Sequence, residues 1–293
     1  MKVTGFSFIK NAILYQYPIK EALKSILPIC DEVIVAVGNS EDNTRDLVAS
    51  INPQKIKIVD SVWDENLKEG GQVLAAETDK AFREIAPDTD WCIYIQGDEV
   101  FHEKDYAEIN AAMELYKDNM DIDGFLFKYL HFYGSFDFTG ASSTWYRNEI
   151  RIIRNNKKIY SYRDAQGFRK NDHEKLVVVP LDASVYHYGW VREPGVMQAK
   201  CDHFGTYWNG GEKTVSNVKS REDVFDYMKI DALKKFIGTH PAVMQERIHN
   251  MNWKFNYDPS FNRIKMKDRF KNILEKMTGK RFFDYQNYKI YKA

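Results

Sequence analysis

Residues 90–103 read DWCIYIQGDEVFHE. The continuous apolar run from Trp91 to Ile95 predicts a strand buried on both faces. Side chains alternate along a strand, which places Trp91, Ile93 and Ile95 on one face and Cys92 and Tyr94 on the other. Apolar character ends at Gln96, and Gly97 permits a tight turn before the acidic pair Asp98-Glu99. Ligands of open α/β sheets bind at the carboxyl ends of the strands, so we predict that Asp98 faces a ligand site.

The segments before this strand alternate between strand and helix patterns. Strand patterns occupy residues 3–9, 32–37 and 55–59, and helical patterns occupy 12–27, about 42–50 and 72–85. Pro18 indicates a kink or a late start of the first helix. The order β-α-β-α-β-α-β predicts an α/β fold with a mainly parallel central sheet flanked by helices. Neither a G-x-G-x-x-G motif after the first strand nor a Walker motif occurs, so dinucleotide and P-loop chemistry are not indicated.

The second half of the chain has a different pattern. After a helical pattern at 106–117, short strand patterns follow at 124–132, 150–154, 158–162, 176–179 and 184–188. Aromatic residues are frequent here; some should form a core, and those beside charged residues suit the stacking of a sugar. From Gly195 onward the patterns are helical, at 196–208, 221–237, 241–250 and 263–277. We predict an α/β domain over residues 1–190 and a helical C-terminal extension packed on it over 191–293.

Composition limits the classes of function. Of the 293 residues, 44% are hydrophobic and 29% are charged, with 42 Lys and Arg against 42 Asp and Glu, which gives no support for nucleic-acid binding. The three cysteines lack metal-site spacing and fit a reducing compartment. No apolar run approaches 18 residues, and residues 3–9 resemble a strand more than a signal peptide, so we expect a cytoplasmic protein.

The C-terminal region is basic, with ten Lys and Arg against three Asp and Glu over residues 263–293. Within it, residues 263–277 place apolar side chains roughly on one face of a helix. Such a helix either packs on its own domain with a solvated basic face, which we favour, or makes peripheral contact with an anionic membrane.

These features together resemble a known family. The alternating first half, Ser40-x-Asp42-x-Thr44 after the second strand, residues 90–99 and VYHYGW at 185–190 are similar to family 2 glycosyltransferases of the GT-A fold. The resemblance covers roughly residues 1–190, and within the family it is greatest to bacterial enzymes that build lipopolysaccharide core or other surface glycans. It implies a GT-A nucleotide-diphospho-sugar transferase fold and inverting transfer of a sugar from a UDP-sugar or related donor to a glycan or lipid-linked acceptor.

The resemblance also implies a divalent cation, Mn²⁺ or Mg²⁺, which would neutralise the diphosphate leaving group. The family ends its fourth strand with Asp-x-Asp; here Gln96 takes the first position and Asp98 the second, which leaves metal dependence open. Asp98 and His187 are the expected ligands, and an imidazole beside a carboxylate favours Mn²⁺. His187 could instead be a buried core histidine. Glu99 belongs to the same metal group, as support or in a salt bridge rather than as a direct ligand.

Inversion requires a base that takes the proton of the acceptor hydroxyl. The family places this base on a carboxylate after the metal motif. Asp164 is the first candidate, although Arg163 could pair with it structurally, and Asp137 and Glu149 are the alternatives.

Donor binding is expected at the strand ends. The residues implied by the resemblance are Phe8, Ile9 and Lys10 at the uracil base, Gly38, Asn39 and Ser40 near the ribose, Gly71 and Asp79 towards base and diphosphate, and Gln96 and Gly97 beside the metal.

Two other functions remain open at this point. A sugar nucleotidyltransferase would require a Gly-rich loop with Arg or Lys after the first strand, and residues 8–12, FIKNA, contain no glycine. A non-catalytic glycan- or nucleotide-binding protein of the same fold is the other alternative, and Gln96 is the argument in its favour.

Overall fold

Four parallel strands form one half of the central sheet. In the computed structural model, which describes residues 1–208, 224–278 and 286–292, they are β1 (Val3–Ile9), β2 (Glu32–Gly38), β3 (Ile56–Ser61) and β4 (Trp91–Tyr94), in the order β3-β2-β1-β4. Three helices connect them: α1 (Ile19–Ile26), α2 (Thr44–Ile51) and α3 (Gln72–Arg83). The predicted α/β alternation is confirmed. The first helix starts late, at Ile19, because Pro18 precedes its first turn.

The other half of the sheet is mixed. It contains β5 (Glu99–Phe101), β6 (Gly124–Tyr133), β7 (Ser135–Gly140), β8 (Asn148–Arg154) and β12 (Val177–Trp190), with helix α4 (Tyr106–Leu115) between β5 and β6. Strand β8 pairs antiparallel with both β4 and β6, and β12 runs parallel to β6. The two strands predicted at 176–179 and 184–188 are one long strand, β12, whose pairing with β6 is irregular between Pro180 and Ser184. A separate three-stranded sheet contains β9 (Ile159–Tyr162), β10 (Gly167–Lys170) and β11 (Glu174–Lys175).

The core has a layer on each face of β4. Trp91, Ile93 and Ile95 pack in one apolar cluster together with residues of α1 and α4. Cys92 and Tyr94 pack in a second cluster with residues of α3 and the small sheet. All five side chains are fully buried. The predicted division of β4 into two apolar faces is therefore confirmed, and the carboxyl end of this strand is held rigidly between two layers.

The C-terminal region is less helical than the sequence pattern indicates. It contains α5 (Pro194–Gly205), β13 (Leu233–Lys235), α6 (Gln245–His249), α7 (Met266–Thr278) and β14 (Lys289–Ile290). The helix predicted at 221–237 is wrong over 224–237, where β13 instead pairs with the edge strand β7; residues 221–223 lie outside the described part. Strand β14 pairs with β12. The division at residue 190 stays a prediction.

Two observations bear on contact with a membrane. Over the described ranges, no helix has the length and apolar character needed to cross a bilayer. On α7, the apolar side chains of Phe270, Ile273 and Met277 are 59%, 55% and 79% exposed, so the predicted packing of this face on the domain is not found for them.

Candidate functional site

A cavity of about 500 Å³ opens at the carboxyl ends of β1 and β4. Its walls come from the ends of these two strands, the loop after β9, strand β12 and helix α5. Among the predicted site residues, those that line it are Phe8, Ile9, Lys10, Gln96, Gly97, Asp98, Asp164 and His187. This position is the one expected for a ligand site in a parallel sheet.

Asp98 and His187 meet because β5 runs antiparallel to β12. Glu99 lies opposite His187 in this pairing, and the backbone N–H of Tyr188 donates to the carbonyl of Asp98, at 2.8 Å. The distance from His187 Nε2 to Asp98 Oδ1 is 3.8 Å. The predicted proximity of these two side chains is therefore present, although they are 89 residues apart in the chain.

Two basic side chains face the other oxygen of Asp98. Lys200 Nζ lies 3.4 Å and Arg192 Nη2 3.7 Å from Asp98 Oδ2. Burial by itself would raise the pKa of Asp98, but Lys200, His187 and Arg192 outweigh it and hold this pKa at about 2. Burial, followed by the nearby Arg192, lowers the pKa of Lys200 to about 8. The low pKa favours an ionised Asp98, with two basic side chains beside its carboxylate.

Arg192 is fully buried and incompletely paired. Its Nε donates to the carbonyl of Tyr15 at 2.7 Å, its Nη1 donates to the carbonyl of Gly189, and its guanidinium stacks 4.5 Å from the ring centre of Tyr17. Nη2 has no hydrogen-bond acceptor. A buried N–H without an acceptor is costly, so the nearby charge of Asp98 is the interaction that offsets this cost.

Asp98 Oδ1 and His187 Nε2 are the two atoms here that could hold a divalent cation. A Cβ at Gly189 would overlap His187 Nε2 and lie 3.0 Å from Asp98 Oδ2, so glycine keeps the space between them open. A carboxylate oxygen and an imidazole nitrogen are suitable Mn²⁺ donors. In the described part of the chain, no group of three His, Cys, Asp or Glu side chains is placed to hold a metal. The protein thus offers two ligands at this position and no complete cage.

Glu99 points away from the cavity. Both of its oxygens are bound by the buried Arg151, at 2.8 Å from Nε and 2.6 Å from Nη2, and Tyr129 donates a further hydrogen bond. The Gln96 backbone N–H donates to the same carboxylate, at 3.1 Å. Glu99 therefore forms the ion pair that the sequence allowed and fixes the turn that carries Asp98.

Gln96 connects the tip of β4 to the loop after β9. Its amide nitrogen donates to the carbonyl of Ala165 at 3.1 Å and to the hydroxyl of Tyr94 at 3.2 Å. An ionised aspartate at this position could donate neither bond. The departure from Asp-x-Asp therefore has a structural role that the sequence did not reveal.

Asp164 lies in the loop that Gln96 holds. Its neighbours Arg163 and Ala165 both have left-handed backbone angles, with φ of 57° and 61°, which are strained for residues other than glycine. Asp164 lines the cavity, its Oδ1 is buried without a hydrogen-bond partner, and burial raises its pKa. A carboxylate with a raised pKa at a cavity wall is suited to accept a proton.

The alternatives to Asp164 lie outside the cavity lining. Glu149 is buried behind the wall, 3.8 Å from Arg151, where burial raises its pKa to about 8. Asp137 is exposed on β7 and lines a separate groove with Phe138 and Lys235. Strand β7 lies between β6 and β13, and Asp137 is not among the residues that line the cavity, so its role as a rival base stays a prediction.

Several predicted donor residues have structural contacts instead. Asp79 accepts from the backbone N–H of Ser161 at 2.8 Å, and the Ser40 hydroxyl accepts from that of Asn11 at 3.0 Å. Burial raises the pKa of Asp79 to about 6. Gly71 begins α3, and a Cβ there would lie 2.6 Å from that of Asp164. None of these residues lines the cavity, and their contact with a donor stays a prediction.

Trp63, rather than the residues at the end of β2, lines this side of the cavity. It covers Gly38, where a Cβ would lie 2.5 Å from Trp63 Nε1, and its backbone N–H lies 3.5 Å from Asn39 Oδ1. Trp63 lines the cavity, whereas Gly38 and Asn39 do not. The sequence contained a signal for this residue, because Trp63 comes two residues after the third strand ends at Ser61.

Comparisons with known proteins find structural likeness only. No protein-family model matches the chain, and no curated protein matches its sequence. The chain is similar to S. aureus TarS 1–349 in complex with UDP-GlcNAc, with a TM-score of 0.40, 12% identity and coverage of 70% of this chain and 65% of that one. Across the TarS structures it spans 39% to 65% of their length.

Two further similar structures have other activities in their names. Glucosyl-3-phosphoglycerate synthase from Mycobacterium tuberculosis, in complex with Mn²⁺, UDP and phosphoglyceric acid, gives a TM-score of 0.30 at 16% identity over 45% of this chain and 43% of that one. 4-Diphosphocytidyl-2C-methyl-D-erythritol synthase from Anaerococcus prevotii gives 0.32 at 11% identity over 53% and 70%. These similarities carry no argument about what this chain binds, which rests on its own site.

Proposed function

We propose that this chain is an inverting glycosyltransferase that moves a sugar from a nucleotide-diphosphate donor, expected to be UDP-linked, to a hydroxyl of a glycan or lipid-linked acceptor. One observation carries the proposal. Asp98, His187 and Lys200 line a cavity at the carboxyl ends of parallel strands, and the buried Arg192 lies 3.7 Å from the Asp98 carboxylate. A role in surface polysaccharide synthesis follows from the resemblance of the sequence and is part of the same proposal.

The positive charge of the site supports a diphosphate leaving group. Lys200 and Arg192 exceed the single charge of Asp98, and Arg192 Nη2 lacks an acceptor. As the bond to the sugar breaks, negative charge accumulates on the diphosphate, and fixed cations in a buried site stabilise that charge strongly. Lys200 donates to Asp98 Oδ2 at 3.4 Å and to the carbonyl of Gly189 at 3.0 Å, so it needs little rearrangement to reach the diphosphate.

A divalent cation, Mn²⁺ or Mg²⁺, would be held by Asp98 Oδ1 and His187 Nε2. When bound, it supplies Lewis-acid stabilisation of the diphosphate charge. Because such ions commonly complete their coordination with substrate phosphates and water, two protein ligands are sufficient. Lys200 and Arg192 face the opposite oxygen of Asp98 and leave this position open.

Asp164 is proposed as the base. Its unpaired Oδ1 and raised pKa suit the removal of a proton from an acceptor hydroxyl in the cavity. Gln96 fixes the backbone of this loop at Ala165, which keeps the carboxylate in place. Glu149 lies behind it, outside the cavity lining.

The aromatic wall suits the flat parts of a donor. Trp63 and Phe8 approach each other with ring centres 6.1 Å apart, and Lys10 lies 5.5 Å from the centre of the Trp63 ring. Their position at the ends of β1 and β3 favours a nucleobase here, with the diphosphate extending towards Lys200. The cavity volume lies in the range typical of small-ligand sites.

A panel of nucleotide-sugars tests the proposal by thermal shift and by transfer to a hydroxyl acceptor, with and without Mn²⁺. A donor at 100 times its Kd should stabilise the protein by about 2.7 kcal/mol. Stabilisation by UDP or a UDP-sugar, followed by release of UDP with acceptor present, supports the proposal. Stabilisation only by a nucleoside triphosphate, with pyrophosphate released from it and a sugar phosphate, would indicate a nucleotidyltransferase and contradict it.

We also propose that α7 makes peripheral contact with an anionic membrane. Its residues Met266, Phe270, Ile273 and Met277 recur at helical spacing and are 82%, 59%, 55% and 79% exposed. Residues 263–278 carry six Lys and Arg against two Asp and Glu, which complements anionic lipid.

Co-sedimentation with vesicles tests this contact. Binding should be stronger to vesicles containing phosphatidylglycerol than to pure phosphatidylcholine, and Phe270→Ser should weaken it. Leu115→Ser, at an apolar position of α4 that is 73% exposed, is the matched control and should have no effect. Equal binding of the Phe270 variant and the wild type would contradict the proposal.

A further inference from the structure

His131 lies directly behind His187, on the side away from Asp98. The two residues are opposite one another in the parallel pairing of β6 and β12. Their rings are nearly perpendicular, at 83°, with centres 5.1 Å apart. His131 is only 5% exposed and does not line the cavity. Any effect of His131 on the cavity must therefore pass through His187.

The hydrogen bonds of His131 determine which nitrogen carries its proton. Nε2 lies 3.0 Å from the backbone carbonyl of Tyr146, which can only accept, so Nε2 carries a hydrogen. His131 packs against the rings of Tyr129, Trp145 and Tyr146, and its hydrogen-bond partners are a carbonyl and an imidazole. A buried imidazolium without a counter-charge is costly, so the ring is neutral. Its Nδ1 is consequently an acceptor.

The same reasoning then fixes His187. The two Nδ1 atoms are 3.2 Å apart, and since that of His131 accepts, that of His187 must donate. A neutral His187 protonated at Nδ1 has its lone pair on Nε2, the atom that lies 3.8 Å from Asp98 Oδ1. This separation is too long for a hydrogen bond, so two electron-pair donors face each other across the space that Gly189 leaves open.

We propose that His131 is a positioning residue that holds His187 in the tautomer whose Nε2 lone pair faces Asp98. A lone pair and a carboxylate oxygen side by side call for an electron-pair acceptor between them, and a divalent cation is the acceptor of suitable chemistry; that assignment of the ligand rests on the proposed function. The tautomer itself does not depend on the proposed function, because the backbone carbonyl of Tyr146 imposes it.

Nitrogen NMR of ¹⁵N-histidine-labelled protein tests the tautomer without metal or donor. The His187 resonances are assigned by comparison with His187→Gln. The wild type should show His187 protonated at Nδ1 and unprotonated at Nε2. Protonation at Nε2, alone or together with Nδ1, would overturn the inference.

Two variants separate the acceptor from the bulk of His131. Asparagine can place its amide oxygen near the position of Nδ1, so His131→Asn should keep the wild-type tautomer of His187. His131→Leu offers no acceptor and should give a mixture of tautomers. Both variants lose the bond to Tyr146, so the difference between them isolates the acceptor. An unchanged tautomer in a folded His131→Leu protein would overturn the inference, and the wild-type spectrum decides it if that variant does not fold.

Mn²⁺ affinity, measured by calorimetry on donor-free protein, gives a second readout. Loss of a group that orients a histidine ligand commonly weakens metal binding about 10- to 100-fold, which we expect for His131→Leu but not for His131→Asn. Equal affinities of the wild type and His131→Leu would overturn the inference. A wild type that has the Nδ1–H tautomer yet binds no Mn²⁺ supports it and contradicts the cation of the proposed function.

Discussion

Two carboxylates in the same cavity have opposite surroundings. Asp98, at the tip of β4, has Lys200, Arg192 and His187 within 4 Å, and these neighbours keep its pKa at about 2. Asp164, in the strained loop after β9, has a buried oxygen without a partner and a raised pKa. The comparison teaches that residue type does not assign a role: one carboxylate must stay charged, whereas the other is able to take up a proton.

The strongest test of this difference replaces Asp98. In Asp98→Asn, two buried cations lose their counter-charge and the expected cation loses a ligand, so both donor binding and turnover should fall. We expect kcat/KM to decrease by about 1,000-fold, the upper range for loss of one electrostatic group in an active site. Steady-state kinetics and donor titration measure it. Asp88→Asn, at an exposed carboxylate paired with Lys2, is the control. Activity within a small factor of wild type would remove Asp98 from its proposed role.

The second test separates the two carboxylates. Asp164→Asn should lower kcat by about 100-fold or more while leaving donor affinity unchanged, because a base acts on the acceptor and not on the diphosphate. Asp137→Asn, which changes a carboxylate outside the cavity, should retain full activity. If the Asp137 variant is inactive and the Asp164 variant is active, the choice of base is reversed.

Glu149 tests how burial acts on a carboxyl behind the cavity wall. Its folded-state pKa of about 8 lies above the ordinary value of 4.5, so the folded protein holds this proton more tightly than the unfolded chain. Its contribution to the free energy of unfolding is therefore greatest below pH 4.5 and declines as pH rises towards 8, by about 1.4 kcal/mol per pH unit at most.

The Glu149→Gln variant should have a flatter dependence of stability on pH between 5 and 8, measured by urea denaturation. The exposed Glu114→Gln is the control and should retain the wild-type slope. Equal slopes for Glu149→Gln and wild type would show that Glu149 is ionised in the folded protein.

The smallest expected effect concerns the hydrogen bond from Gln96, at the tip of β4, to Ala165 in the loop that carries Asp164. Gln96→Glu loses the donor to the Ala165 carbonyl, so the Asp164 loop should become less well positioned. The loss of one hydrogen bond of about 1.4 kcal/mol corresponds to about a 10-fold decrease in kcat. Gln54→Glu, an exposed position with the same change of charge, should have no effect. Higher activity of the Gln96 variant would indicate that a second acidic group improves the site.

The sequence was sufficient where local pattern determines structure. The two apolar faces of β4 follow from the alternating direction of side chains along its apolar run. The position of Asp98 at the cavity follows from the rule that parallel strands end at one edge of the sheet. The sequence was insufficient for Lys200, Arg192 and His131. Their roles depend on α5 packing over the strand ends and on the register of β6 with β12, which are contacts between distant segments.

The failed helix at 224–237 has a related cause. The helical spacing of apolar residues there is real, but Leu233–Lys235 meets the unpaired edge of β7, and pairing with that edge satisfies backbone groups that a helix would have satisfied internally. A pattern read within one segment cannot include the presence of such an edge.

Gly189 limits which side chains this site can accept. Any side chain at this position would overlap the imidazole of His187 and crowd Asp98, so the centre has no room for substitution. If the proposed function holds, changes of donor preference are expected at wall residues such as Trp63 and Phe8. Because Gly189 has no Cβ, the imidazole of His187 and the carboxylate of Asp98 can keep the positions described above.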